Sequence, residues 1–131
     1  MDAGPDASVA RRMSPRADLL AFEVRDKITK GDIEWMASIV DGAMRAHDKI
    51  DMLIIMSHFQ GAEFGATFDG YAIGVEARSV AHIRRYVVVG APAFVKAMIN
   101  LSGLILPVET KTFELEEEQA AWAWVSREGA D

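Results

Sequence analysis

The histidines at 47, 58 and 82 are the side chains whose type suits acid–base or metal chemistry near neutral pH. Of these, His58 stands at the carboxyl end of an apolar run, where α/β sheets place their ligands. His58, Glu63, Asp69 and His82 can be drawn as a metal-ligand set. No pair has the His-x₃-His spacing that puts two ligands on one helical face, so these residues read as polar loop and helix-surface positions. Ser57-His58 suggests a nucleophile beside its base. Neighbours on a strand point to opposite faces, which separates them there. There is no Gly-x-Ser-x-Gly elbow. Gly61, Gly65 and Gly70 lack a following Lys-Ser/Thr and so form no phosphate loop. We therefore expect no catalytic residue, no metal site and no cofactor. A small hydrolase or metal enzyme using His58 is the least favoured reading.

The aromatic residues make a better case. Phe64, Phe68 and Tyr71 fall at i, i+4 and i+7 on one helical face. Phe59 sits at the strand end facing that helix, with Gly61 two residues on. These five, Phe59, Gly61, Phe64, Phe68 and Tyr71, are the candidate ligand- or partner-binding residues. One reading is plain core. The sharper one is a small apolar pocket under a movable helix. Interior glycines at 65, 70 and 74 make a helix less stable, at ~1 kcal/mol each against alanine. They equally allow close packing on the sheet or on a second subunit. Trp122 and Trp124, two apart, cannot share one helical face, so Trp124 is expected inward and Trp122 partly exposed. Trp35, beside the stripe of its own helix, is a further candidate for exposure.

The elements that position these residues follow from periodicity. Leu20, Phe22 and Val24 share one face of a strand over Leu19–Arg25. Thr29 with Asp32 reads as a helix start close to a capping box. Ile33, Met36, Ile39, Val40, Ala43 and Met44 then give an apolar helical stripe, which His47–Lys49 ends. Ile50–Met56 is a nearly continuous apolar run, the mark of a strand covered on both faces. A weakened helix over 64–82 precedes a buried strand at Tyr86–Val89, ended by Gly90. Pro92 opens a helix with Phe94, Val95, Met98, Ile99 and Leu101 inward, and Gly103 ends it. Val108–Phe113 alternates as a strand, and Glu116-Glu117-Glu118 opens a last helix through Trp124. The order β-α-β-α-β-α-β-α implies a small, mostly parallel sheet of four or five strands with helices packed on it. Residues 11–17 could supply the extra edge strand.

Length and composition bound the rest. The chain has 131 residues, enough for one domain with its own core. It carries 14 Lys+Arg against 20 Asp+Glu, a net charge of −6, which argues against a nucleic-acid-binding face. No cysteine is present, so disulfides, thiol catalysis and cysteine-ligated metals are excluded. No apolar stretch approaches the ~20 residues of a membrane span. Residues 1–15, with Gly4, Pro5, Ser8, Ser14 and Pro15, read as a disordered leader before a single domain at 16–128. Arg11-Arg12 lacks the hydrophobic region of a twin-arginine signal, and the expected location is the cytoplasm.

Over residues 17–126 the chain resembles the SpoIIAA-like proteins, which share the fold of STAS domains and are similar to the lipid-carrying CRAL-TRIO domain. The stretches that carry the likeness are Phe59-Gln60-Gly61 with Gly65-Ala66, the run Arg84-Arg85-Tyr86-Val87-Val88-Val89-Gly90, and Phe113 followed by Glu116-Glu117-Glu118, Ala121, Trp124 and Val125. A signalling STAS domain has a Ser-containing phosphorylation motif just after the strand that corresponds to Ile50–Met56. Here that place holds His58-Phe59-Gln60-Gly61-Ala62-Glu63, and neither Ser57 nor Thr67 stands in the pattern. The family's usual Trp after Phe-x-Gly is replaced by Ala62. The resemblance implies a non-catalytic binding module, engaging a partner protein or small apolar ligand through the strand loop and the helix after it. A carrier of fatty acid or similar lipid is the alternative it implies. Homodimerisation is a further expectation.

Overall fold

The computed structural model describes residues 3–61, 70–93, 95–97 and 108–127. Its elements are β1 (Val9–Arg12), β2 (Leu19–Val24), α1 (Lys30–Ala46), β3 (Ile50–Ile55), α2 (Gly70–Ser79), β4 (Ile83–Val89), β5 (Glu109–Phe113), a single 3-10 turn (Leu115–Glu117) and α3 (Glu118–Val125). The sheet has five strands in the order β1-β2-β3-β4-β5. β1 pairs antiparallel with β2, and all later pairs are parallel. This is the small, mostly parallel α/β sheet that the alternating pattern implies.

Two apolar layers sandwich the sheet. Leu20, Phe22, Met52, Ile54 and Val88 face α1 and α2, meeting Ala37, Val40 and Val75. Leu19, Ala21, Leu53, Ile55, Val87 and Val89 face α3, meeting Ala121 and Val125. Strands buried on both faces must be apolar at odd and even positions alike, which is why β3 reads as a run. α1 begins at Thr29, whose hydroxyl accepts the Asp32 N–H at 3.1 Å, as its sequence suggests. Trp35 is not free on the surface. It is half-buried, edge-on to Phe22 at 6.0 Å between ring centroids. Trp122 and Trp124 both lie partly buried against the α3-side core, so neither is the single inward residue. The short α3 lies across strands, and both rings can reach the sheet from its flanks.

The expectation of a disordered leader over 1–15 is corrected. Val9–Arg12 form β1, and Val9 is fully buried. The extra edge strand therefore lies earlier than 11–17. The reason is the buried Asp32 carboxylate, a partner distant in sequence that orders residues 6–9. Asp32 Oδ1 accepts the Asp6 N–H at 2.8 Å. Its Oδ2 accepts the Ser8 N–H and hydroxyl, both at 2.6 Å, and the Val9 N–H at 3.1 Å. Burial pushes the Asp32 carboxyl up, but these donors more than offset it, and the group ends below the usual range. The helix start thus holds the chain's beginning as an anion holds its donors.

Candidate functional site

The two ends of the parallel strands carry different chemistry. At the amino ends, Asp51 is buried without exposed surface. Arg84 grips it through Nε at 3.1 Å and Nη2 at 2.7 Å, and Arg16 through Nη2 at 2.7 Å. The Arg85 N–H donates to Asp51 Oδ1 at 3.1 Å. Arg85 Nη1 donates to the Arg127 carbonyl at 2.6 Å and the Val125 carbonyl at 3.4 Å, and Arg16 reaches the same Val125 carbonyl at 3.0 Å. The arginine pair thus satisfies carbonyls at the end of α3 and fastens it to the sheet. Burial raises the Asp51 carboxyl, but hydrogen bonds from Arg84 and Arg16 and the charges of Arg84 and Arg85 bring it below the usual value. Arg84 is raised in turn, chiefly by its bond to Asp51. This cluster is a structural clamp, with its charges spent on each other and on a helix end.

At the carboxyl ends, β3 runs into the loop Met56–Gly61. Its anchors are backbone bonds from Met56 N–H to the Val89 carbonyl, His58 N–H to the Val24 carbonyl, and Ile28 N–H to the Gly61 carbonyl. Gly61 has φ +91°, a left-handed turn that glycine takes without strain. Phe59 is half-buried against the α1/α2-side core, so it serves as an anchor of the loop. Tyr71 lies 45% exposed on the first turn of α2, which starts on this same side of the sheet. Phe64 and Phe68 lie outside the described residues, as do Glu63, Asp69, Phe94 and residues 98–103, where the sequence pattern predicts most of a further helix. Of the candidate aromatics, the structure therefore places Phe59 and Tyr71 at this end, one inward and one outward. On β4, Tyr86 packs against the same core, and burial together with the Glu76 charge pushes its phenol up to about 12, so it keeps its proton.

The reading that Ser57 and His58 are held apart is corrected. They lie in the bend after β3, not on the strand, and His58 Nδ1 stands 3.3 Å from Ser57 Oγ. The Ser57 hydroxyl donates to Glu23 Oε2 at 2.5 Å. Glu23 pairs with Arg12 at 3.3 Å, Arg12 with Glu118 at 3.2 Å, and Glu118 accepts the Trp122 Nε1–H at 3.1 Å. The serine hydroxyl thus lies between the Glu23 carboxylate, which accepts its proton, and the His58 ring nitrogen. The array ties the loop to β1, β2 and α3. Sequence reasoning missed Glu23, although strand alternation sets it opposite to Leu20, Phe22 and Val24 and so marks it as the polar end of the α3-side face.

His82 sits at the opposite end of the sheet, its Nδ1 3.0 Å from the Asp48 carbonyl, so it cannot join His58 in a metal set. Among the described residues no group of three His, Asp or Glu side chains is placed to hold a metal ion. Among the same residues no helix is long and apolar enough to cross a membrane.

Comparison with known proteins agrees with this geometry. The chain is similar to the crystal structure of an uncharacterised DUF3478-family protein with a SpoIIAA-like fold from Shewanella loihica PV-4, with TM-score 0.71 and 20% identity. That match covers 90% of this chain and 94% of the other. No curated protein matches the chain. The SpoIIAA-like family model matches residues 19–126, from β2 through α3. With four of the five strands and the closing helix inside that span, the chain belongs to the SpoIIAA-like family.

Proposed function

We propose that the chain is a non-catalytic interaction module whose working surface is the carboxyl end of the sheet. The observation that carries this is the β3 loop. It is fixed at both ends by backbone bonds and at its middle by the Ser57–Glu23–Arg12 array, yet it presents His58 and Gln60 to solvent. A loop so firmly held offers a preorganised surface, which lowers the ordering cost of binding. Tyr71 adds an aromatic ring on the same side, a residue type favoured at binding hot spots.

The occupant is a partner protein or a small apolar ligand. Organic extraction of the purified chain, followed by mass spectrometry, tells the two apart. A stoichiometric amphiphile that is lost from Tyr71→Glu marks a ligand seated at this end, as in a lipid carrier. A clean extract assigns the surface to a protein partner. An amphiphile held equally by wild type and Tyr71→Glu would place binding elsewhere and overturn the assignment of the site.

A further inference from the structure

The two edges of the sheet are treated differently. The β1 edge is folded over by the start of the chain, where Ala3 bridges Ala10 and the Gly4 N–H donates to the Val9 carbonyl at 2.9 Å. Beyond β5 no strand lies among the described residues. The Gly90 N–H donates to the Phe113 carbonyl at 2.8 Å, so residue 113 turns its backbone groups toward β4. Backbone direction alternates along a strand. Residues 109 and 111 therefore also face β4, while Thr110 and Thr112 turn their N–H and C=O groups to the open edge.

Two charged side chains of opposite sign, Glu109 and Lys111, stand on this edge. The Lys111 ammonium lies 5.3 Å from the Phe113 ring centroid and 5.6 Å from that of Trp124, and pairs with no carboxylate among the described residues. Glu109 makes a long ion pair with Arg85 at 3.7 Å, with its side chain 57% exposed. The outward backbone groups of Thr110 and Thr112 template pairing with another strand, and the charges on the edge decide which register that strand can take.

We propose that β5 pairs with β5 of a second copy, antiparallel and centred on Thr110. This register sets Thr110 opposite Thr110, with both sets of outward backbone groups bonded, and Val108 opposite Thr112. It sets each Glu109 opposite the Lys111 of the other copy, on the α3 face, giving paired opposite charges across the two-fold axis. The competing registers fail on charge. Centring on Lys111 or Glu109 opposes like charges, and centring on Thr112 leaves Glu109 unmatched. The contact is an isologous dimer that extends the sheet through both copies. A five-residue edge is far smaller than a standard interface, so the dimer is weak and concentration-dependent. It uses a surface separate from the carboxyl-end loop and does not depend on the reading of that loop.

Sedimentation equilibrium of the full chain at low salt tests the register. The wild type should dimerise reversibly as its concentration rises. Lys111→Glu and Glu109→Lys should each weaken dimerisation by roughly tenfold or more, because each opposes like charges twice. The double swap Glu109→Lys/Lys111→Glu restores opposite pairing and should recover the wild-type mass distribution, with circular dichroism confirming the fold of each variant. A chain that stays monomeric at every concentration overturns the proposal. So does a dimer indifferent to both single swaps, or one that the double swap fails to rescue.

Discussion

Asp32 lies in the first turn of α1 with no exposed surface, and its partners come from residues 6, 8 and 9. An amide there would meet those N–H donors with a donor of its own on one side. Asp32→Asn should therefore cost about 3 kcal/mol and loosen β1 first, a loss readable as a lower urea midpoint and faster amide exchange at Val9 and Ala10. Gly90 and Gly61 offer a paired test of close approach. Both have positive φ, +78° and +91°. A Cβ on Gly90 would lie 2.7 Å from Leu115 and 2.9 Å from the Met56 carbonyl, whereas one on Gly61 meets nothing within 4 Å. Gly61→Ala should cost about 1 kcal/mol, from backbone strain alone. Gly90→Ala should cost at least twice that, since a backbone oxygen cannot move aside cheaply. Equal urea midpoints for the two variants would contradict this packing.

At the scale of elements, the strands and α1 were legible because their apolar spacing is strong: Ile50–Ile55 as a run, and Ile33, Val40 and Met44 as a stripe. β1 was not. Val9-Ala10-Arg11-Arg12 has little apolar content, and its pairing rests on a carboxylate over twenty residues away. Local pattern carries no signal for such a contact. The same limit hid the candidate site's polar array, because Glu23, Ser57 and Arg12 meet only through sheet pairing. It also hid the work of Arg84 and Arg85, visible as a family motif but not as the grip on buried Asp51 and the clamp on the end of α3 respectively. Helix α2 is a weak element of known cause. Gly74 lies inside it, and an added Cβ would touch only the Arg78 side chain, at an ordinary 3.6 Å. Gly74→Ala should stabilise by about 0.5–1 kcal/mol. Amide protection in 71–79 should rise with it. A destabilised variant would show that the glycine serves a close contact instead.

For the whole molecule, buried carboxylates set the response to acid. Asp32 and Asp51 both have folded values below that of an ordinary aspartate, so on acidification the unfolded chain takes up protons first. Their contribution is complete above about pH 5 and is lost as pH falls through 3.8 toward the folded values. Urea midpoints should hold steady above pH 5 and drop below it, and the drop should be shallower in Asp32→Asn. The clamp and the array sit at opposite ends of the sheet, one closing the fold and the other steadying a loop that faces solvent. That division is the central claim. Its most direct measurement is in-cell photo-crosslinking with a benzophenone side chain at Gln60 on the β3 loop, compared with one at Lys49, exposed at the opposite end. A discrete adduct is expected from position 60, abolished by Tyr71→Glu, and none from position 49. Adducts of equal yield from both positions, or from position 49 alone, would contradict it.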